Sequence, residues 1–167
     1  FMGWQCHPNQ HWRGEIGRLI VTQNFDLKMD NLEPFIALND RDSISLSYPW
    51  VFKKNQIQYE MWYGSTINWD AGNGEMIHVL KHASSLNGED WKFDEITVPY
   101  IKGVAQAFSR PTIMFSELEK YEMWFSYRGG DGMSYRIGYA KSHDGLKWNL
   151  ALNECGINVS DGGWDSE

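Results

Sequence analysis

The chain has 167 residues and a formal net charge of −7, so it can build one domain with a sizeable core. The acidic balance argues against nucleic acid or an anionic membrane as the main partner, and no apolar run approaches the ~18 residues of a membrane span. Aromatic residues reach 15% of the chain. Aromatic side chains favour strands and also line sugar-binding surfaces, and we expect most of them to form strand core.

An internal repeat dominates the sequence. Three blocks occur twice, in the same order along the chain, which makes a chance similarity a poor explanation. The first block is built around Ser-x-Pro, the second around Tyr-Glu-Met-Trp-aromatic, and the third ends in Gly-x-x-Trp. The paired blocks are 47–52 with 109–115, 59–63 with 121–125, and 83–91 with 140–148.

Each block predicts a strand or a turn. The Ser-x-Pro blocks predict short apolar strands that open with Pro49 and Pro111, because proline is tolerated at the first residue of a strand. Residues 58–63 alternate polar and apolar, as a half-buried strand does. Residues 136–140 predict a third strand, and Trp91 and Trp148 open an outermost one.

The third block also contains a turn. Its Asn-Gly and Asp-Gly dipeptides supply the positive φ of a tight turn. We interpret 142–148, which is similar to the Asp-box of sialidases but one residue short, as a structural turn that Asp144 caps and Trp148 packs beneath. No segment longer than a turn or two has helical periodicity.

Four short strands in about 60 residues is the pattern of a propeller blade, so we predict an all-β fold: part of a β-propeller with about two full blades and two partial ones. A helical solenoid is excluded by the turn spacing, and a sandwich would not require such similar strand blocks. The predicted parts of this single domain are a partial blade at 1–33, blades at 43–100 and 105–155, and the start of another at 158–167. Both ends of the chain look like cuts through a longer protein.

Cys6 and Cys155 lie far apart in the sequence and match no metal-binding pattern, so we expect two free thiols, no disulfide and a cytoplasmic location. No phosphate loop, nucleophile elbow or Cys-x-x-Cys pair is present, and no cofactor is implied. The pair His7 and His11 has no acidic or Cys partner at a useful spacing, so we interpret both as solvated loop residues rather than metal ligands.

The ordered blocks, with Ile-Gly-Tyr-Ala-x-Ser-x-Asp-Gly-x-x-Trp at 137–148, resemble the five-bladed propeller superfamily that includes glycoside hydrolase families 43, 32, 62, 68 and 130. More narrowly, the motif at 156–167 (GINVSDGGWDSE) resembles uncharacterised glycosidase-like proteins associated with bacterial surface-polysaccharide genes. The resemblance covers nearly the whole chain. It implies that the chain runs from late in blade two to the start of blade five, with carboxylates projecting from innermost strands into a central funnel.

Glycoside hydrolysis normally uses two carboxyl groups on opposite sides of the scissile bond. Asp165 and Glu167 are the first catalytic candidates, since the Trp-Asp-Ser-Glu motif would place one of them on an innermost strand; a polar inter-blade loop is the alternative. Asp42 is a candidate substrate-binding carboxylate, although 40–42 also has the composition of a solvated turn, which we favour.

Gln106 is a second substrate-binding candidate, at a position where the resembling proteins often have Glu. An amide cannot donate a proton at neutral pH, so a lost acid here would indicate a binding protein or an inactive relative. Arg110 could bind a sugar carboxylate or phosphate, or form an ion pair between blades. Tyr48, its counterpart in the preceding repeat, is a further substrate-binding candidate. Trp69, with Trp12, His11 and Asp70 in equivalent loops, could form a stacking platform for sugar.

Other prominent residues recur in each repeat, and a unique site should not be repeated. We therefore expect Glu60 and Glu122 to be exposed or to act between blades, and Trp62, Trp91, Trp124 and Trp148 to be core. The leading hypothesis is a glycoside hydrolase-like or phosphorylase-like enzyme acting on bacterial polysaccharide or oligosaccharide. The alternatives are a non-catalytic carbohydrate-binding propeller and, third, a protein-interaction propeller. Blade edges, if exposed, would favour self-association.

Overall fold

The structure is a computed structural model that describes residues 2–5, 11–96, 98–116, 120–130, 132–163 and 166, with backbone alone at 2–5 and 96. The described residues are all-β apart from one 3₁₀ turn at Leu152–Glu154, as the sequence predicts. No helix among them has the length and apolar character of a membrane span. In chain order the strands are β1 (Met2–Gln5), β2 (Arg13–Ile16), β3 (Leu19–Val21), β4 (Leu27–Met29), β5 (Ser45–Lys53), β6 (Tyr59–Asn68), β7 (Ile77–Ser85), β8 (Lys92–Ile96), β9 (Ala107–Ser116), β10 (Lys120–Arg128), β11 (Arg136–Ser142) and β12 (Trp148–Leu150).

The strands form two consecutive four-stranded antiparallel meanders, β5–β8 and β9–β12. We call them the first and the second blade. The two blades are joined in one sheet by a single parallel bridge, His78 with Ala107, at the start of β7 and β9. Before them, β1 pairs with β2 and β3 with β4 in two small antiparallel sheets. The repeated blocks therefore correspond to repeated blades.

Both faces of the first blade are covered. One face contributes Trp62 and Leu80 to a core shared with the second blade, which adds Phe108, Tyr121 and Met123 among others. The opposite face packs Leu46, Met61 and Tyr63 against Ile16 and Ile36 of the preceding segment. The prediction that 58–63 is half-buried is therefore wrong for β6, where seven consecutive residues, 60–66, are buried. Alternation is seen instead in β10.

The two Ser-x-Pro blocks form β-bulges in the middle of β5 and β9. Pairing with the neighbouring strand shifts between Ser47 and Trp50 in β5, and at the corresponding place, between Ser109 and Thr112, in β9. The prediction that proline opens these strands is therefore wrong: each strand starts four residues before its proline. A bulge interrupts the hydrogen-bond ladder, so a residue without an N–H group can lie inside a strand.

The turn between the last two strands of each blade has the same hydrogen bonds in both. Ser142 Oγ accepts from the Gly145 N–H (2.9 Å), and Asp144 Oδ1 accepts from the Leu146 and Lys147 N–H groups (2.8 and 2.7 Å). The bond from Lys147 is the main cause that lowers the pKa of Asp144. Ser85 and Asn87 repeat this pattern in the first blade.

Both turn glycines, Gly88 and Gly145, have φ of 76°, and Trp148 is 4% exposed and donates to Gly145 O (2.8 Å). The structural interpretation of this motif is confirmed.

Glu60 acts between blades, as expected from its repetition. It is 3% exposed, forms an ion pair with Lys54 (3.0 Å) and accepts a hydrogen bond from the Tyr121 hydroxyl of the second blade (3.4 Å). Burial alone would raise the pKa of Glu60, but hydrogen bonds from His82 and Lys54 outweigh it, so the pKa is lowered. Trp62 and Trp148 belong to the core as predicted, whereas Trp91 and Trp124 are half-buried.

Candidate functional site

One end of the two blades collects most of the candidate residues. The start of β5 pairs with the end of β6, the start of β7 bridges to the start of β9, and the Gln106 N–H donates to Arg128 O at the end of β10 (3.0 Å). The loops 37–44, 69–76, 101–106 and 129–135 therefore meet along this end, which we call the rim. Loop ends held by a rigid sheet are the usual location of binding residues.

Tyr48 and Arg110 occupy the bulges of β5 and β9, just below the rim. Their φ angles are 47° and 52°, in the left-handed region. This conformation is unfavourable for bulky side chains, and more so before proline. Residues held in such conformations cost about 1–3 kcal/mol each and cluster at functional sites. The same strain at equivalent positions of both blades indicates that the bulge is a repeated feature of the fold.

The two bulge side chains meet across the blade boundary. Arg110 is exposed, Tyr48 is half-buried, and the guanidinium carbon lies 5.6 Å from the centre of the tyrosine ring. Among the described residues, β5 pairs only with β6, and β9 pairs with the first blade only through the bridge to β7. The edge of β5 away from β6, and most of the edge of β9 away from β10, therefore have no hydrogen-bonded neighbouring strand there. The predicted substrate-binding residues Tyr48 and Arg110 are thus brought together at the open edges of two neighbouring first strands.

Asp42 lies in a turn, but the interpretation of this residue as solvated is wrong. It is 2% exposed and forms a buried ion pair with Lys81 (Oδ1 to Nζ, 2.7 Å). The hydroxyls of Ser65 (2.5 Å) and Tyr63 (3.1 Å) donate to the same carboxylate. Burial, followed by the charge of Asp42, raises the pKa of Tyr63. A direct role of Asp42 in sugar binding would require these partners to be displaced.

Gln106 is fully buried and ties the rim loops together. Its Oε1 accepts from the Gly103 N–H (2.6 Å) and from Asn73 Nδ2 (2.9 Å). Its Nε2 donates to Asn73 Oδ1 (3.1 Å) and to the backbone oxygens of Glu75 (3.3 Å) and Met76 (3.2 Å). The amide therefore fits a place that needs both a donor and an acceptor. Its polar atoms are engaged with protein, and contact with a substrate remains a prediction.

His78 is a buried histidine on β7 at the junction of the two blades, and β6 lies between it and the Tyr48 bulge of β5. Its Nε2 lies 2.6 Å from Ser47 Oγ and its Nδ1 2.6 Å from Thr66 Oγ1. Gly64 allows this close packing, because a Cβ there would clash with His78 and Ser47. Burial lowers the pKa of His78 to about 4, so the ring is neutral at physiological pH.

Trp69 lies on the rim, half-buried, with its ring stacked on that of His11 at 4.5 Å between centroids and 14° between planes. Trp12, which follows His11 in the chain, is 53% exposed. The aromatic loop residues predicted as a platform therefore come together in part, and binding of sugar by Trp69 stays a prediction.

The structure does not describe four residues named in the sequence analysis: Asp165, Glu167, His7 and Cys6. The other cysteine, Cys155, is a free thiol.

Sequence reasoning missed the buried polar residues of β7. Lys81 and His78 lie in the run 77–82, where charged or titratable residues interrupt an apolar strand. Such residues are rarely buried without a partner, and this could have indicated a paired role. Glu75 was also missed; it is 3% exposed and forms an ion pair with Arg128, which links the rim loop 69–76 of the first blade to the end of β10 in the second. No group of three or more His, Cys, Asp or Glu side chains among the described residues is placed to hold a metal ion.

No protein-family model matches the chain. Two uncharacterised proteins of Mycobacterium tuberculosis, MT1551 of strain CDC 1551/Oshkosh and Rv1502 of strain H37Rv, are each 36% identical to it over 168 residues. The match covers 100% of this chain and 54% of each relative. The chain thus spans about half the length of the curated relatives it matches.

Solved structures with a similar fold are glycoside hydrolases. Zg3597, a family 117 glycoside hydrolase of the marine bacterium Zobellia galactanivorans, superposes with a TM-score of 0.61 at 16% identity, over 79% of this chain and 45% of that one. A structure from the family 130 mannoside phosphorylases, which contain glycoside hydrolases that target β-1,2 mannosidic linkages in Candida mannan, gives 0.55 at 13% identity, over 89% and 43%. The chain therefore has the all-β propeller fold of these enzymes.

Replacing Lys81 by Met should strongly destabilise the protein, because the Asp42 carboxylate would stay buried without a counter-charge. We expect a loss of about 3–5 kcal/mol in the free energy of unfolding, measured by urea denaturation. The matched control is Lys141→Met. Lys141 lies on β11, the strand of the second blade that corresponds to β7, and forms an exposed ion pair with Glu154, so its loss should cost less than about 1 kcal/mol. Equal losses in both variants would contradict a buried-charge effect.

His78 should make the protein less stable in acid. The unfolded chain protonates this histidine below its ordinary pKa of about 6.5, whereas the folded ring stays neutral down to about 4, so stability is lost as the pH falls between these values. The pKa difference corresponds to about 3 kcal/mol. The His78→Gln variant should lose this part of the pH dependence in denaturation series from pH 7 to pH 4, whereas exposed His143→Gln should keep it. Identical slopes in wild type and His78→Gln would contradict the prediction.

Gln106→Glu should destabilise the fold at neutral pH, since a carboxylate would face the carbonyl oxygens of Glu75 and Met76 without a proton to donate. We expect a cost of about 3 kcal/mol. The cost should shrink as the pH falls through the raised pKa of the new carboxyl group, because its protonated form can donate one hydrogen bond. Thermal melts at pH 7 and pH 4 test this, with exposed Gln23→Glu as the control. A variant as stable as wild type at pH 7 would show that the amide is dispensable.

Proposed function

We propose that this chain is part of a glycoside hydrolase-like protein that acts on bacterial polysaccharide or oligosaccharide. The observation that carries the proposal is the pair of strained bulges, which places Tyr48 and Arg110 together at the open edges of two first strands. An aromatic ring beside a guanidinium combines a stacking surface with hydrogen-bond donors, which suits recognition of a sugar ring. The propeller fold shared with glycoside hydrolases supports the same proposal, although fold alone does not determine function.

The catalytic candidates in this proposal are Asp165 and Glu167. One carboxyl group would protonate the glycosidic oxygen, and the other would attack the anomeric carbon or activate water. Tyr48 and Arg110 would position the sugar, and Trp69 could extend the binding surface along the rim. Asp42 and Gln106 would support the site from beneath, since their buried partners hold the rim loops.

The wider assembly belongs to the same proposal. We infer a closed ring of five blades, in which 43–100 and 105–155 are two blades and 1–33 and 158–167 are parts of two more. We propose a cytoplasmic location because both cysteines are expected to be free thiols. We also propose that the main ligand is a carbohydrate rather than nucleic acid or a membrane. Self-association through blade edges applies only where those edges are left uncovered.

A non-catalytic carbohydrate-binding propeller is the second candidate function. Gln106 favours it, because an amide stands where the resembling proteins often have a carboxyl group, and its hydrogen bonds fit the amide well. In that case the site would have kept its sugar-binding residues and lost the acid.

The test is activity on a panel of oligosaccharides, with and without phosphate, using the longest natural form of the protein that contains this chain. If the wild type turns over a substrate, Glu167→Gln or Asp165→Asn should lower kcat about 100-fold or more, as expected for a lost acid or base. Exposed Asp161→Asn in the same segment is the matched control and should keep full activity. Saturable sugar binding without turnover would favour the second function, and neither binding nor turnover would refute both.

A further inference from the structure

Arg110 is a cation without a carboxylate partner among the described residues. The ion pairs among the described residues all involve other cations, and the Arg110 guanidinium instead lies over the face of the Tyr48 ring. By contrast, Arg18 binds Asp30 and Glu89, and Arg128 binds Glu75. The chain has 22 acidic residues against 15 Lys and Arg, yet no carboxylate in the part of the chain that the structure describes forms an ion pair with this guanidinium.

The backbone at Arg110 makes the side chain's position specific. Arg110 has a φ of 52° and precedes Pro111, a combination that is unfavourable by itself and persists because the surrounding bulge holds the backbone in place. A bulge re-aims a side chain away from the regular alternation of the strand. The bulge therefore fixes an exposed, planar group of five N–H donors at the open edge of β9, a geometry suited to binding two oxygens of an anion.

Tyr48 gives this site a second component. It has the same left-handed backbone in the neighbouring blade, and its ring lies 5.6 Å from the guanidinium carbon. A cation held over an aromatic ring keeps its N–H edge free for in-plane hydrogen bonds. An aromatic ring with a guanidinium over one face still has its edge and its other face, so the pair can contact a sugar ring and a charged substituent of the same sugar together.

We propose that Tyr48 and Arg110 form a subsite for an acidic sugar, one that carries a carboxylate or a phosphate ester, with Arg110 binding the anionic group and Tyr48 contacting the sugar ring. This inference rests on the proposed carbohydrate function and adds the charge class of the substrate. The net charge of −7 makes general attraction of anions unfavourable, so selectivity for an acidic sugar has to come from a local site of this kind.

The experiment compares three disaccharides that differ only at one carbon of one sugar: a neutral hydroxymethyl form, a uronate and a phosphate ester. Binding is measured by calorimetry on the longest natural form of the protein. We expect the uronate or the phosphate ester to bind at least 10-fold more tightly than the neutral sugar. Arg110→Gln should remove this preference, because it should weaken binding of the acidic sugars at least 10-fold more than binding of the neutral sugar. Arg110→Lys should keep part of the preference, because the ammonium retains charge but not the planar fork.

The control is Lys53→Gln. Lys53 is also an exposed cation on a first strand, with its ammonium 5.4 Å from the centre of the Tyr59 ring, so this variant removes a similar charge outside the bulges. It should leave all three affinities unchanged. Whichever acidic sugar loses its advantage in Arg110→Gln, but not in Lys53→Gln, identifies the anionic group that the subsite takes.

Equal affinity for neutral and acidic sugars would overturn the inference and leave the proposed function intact, and so would a preference for acidic sugar that survives Arg110→Gln. Thermal melts address a purely structural role for the Arg110–Tyr48 contact. A drop of several degrees in Tm for Arg110→Gln, together with equal losses of neutral and acidic binding, would make the contact an inter-blade support and refute the subsite. Absence of binding for all three sugars in the wild type would refute the proposed function itself.

Discussion

The burial of both faces of the first blade is the constraint on which the rest of the structure depends. One face packs against the second blade and the other against the segment that precedes it. A sheet covered on both sides has no solvated face for polar residues, so each polar group inside it needs a partner. Asp42 with Lys81, His78 with two hydroxyls, and Glu60 with Lys54 meet this need. These pairs explain polar residues in strands that are otherwise core.

The same constraint leaves the edges of the first strands, β5 and β9, as the place where side chains are available for the proposed binding site. Within a packed blade the side chains are committed to neighbours, and the free positions are at strand edges and loop ends. Tyr48 and Arg110 lie at such edges, and the bulges that contain them accept backbone strain that regular pairing would not allow. Strain of this kind persists only where the surroundings hold it in place. The ladders of β6 and β10 on one side of each bulge provide that support.

Gln106 illustrates how the fold and the chemistry of the site are linked. In the sequence it stands where a carboxylic acid is expected. In the structure it is a buried amide whose donor and acceptor groups bond to the two rim loops 69–76 and 101–106. The two descriptions are compatible, since a position can lose a catalytic group and gain a structural one. Catalysis in the proposed enzyme would then depend on carboxylates elsewhere, which is why Asp165 and Glu167 are the catalytic candidates and why a binding protein is the second proposal.

The architecture follows from the amino-acid sequence, because a repeated order of strand blocks and Gly turns allows few other folds. The strands of both blades, the Asp144 turn and the core role of Trp62 and Trp148 could be predicted in the same way, since all of them depend on local pattern. The burial of Asp42, the position of the prolines within bulges and the contact of Tyr48 with Arg110 could not be predicted and required the three-dimensional structure. These facts depend on which residues of different blades come into contact, and strand periodicity reports the faces of one sheet but not what covers them.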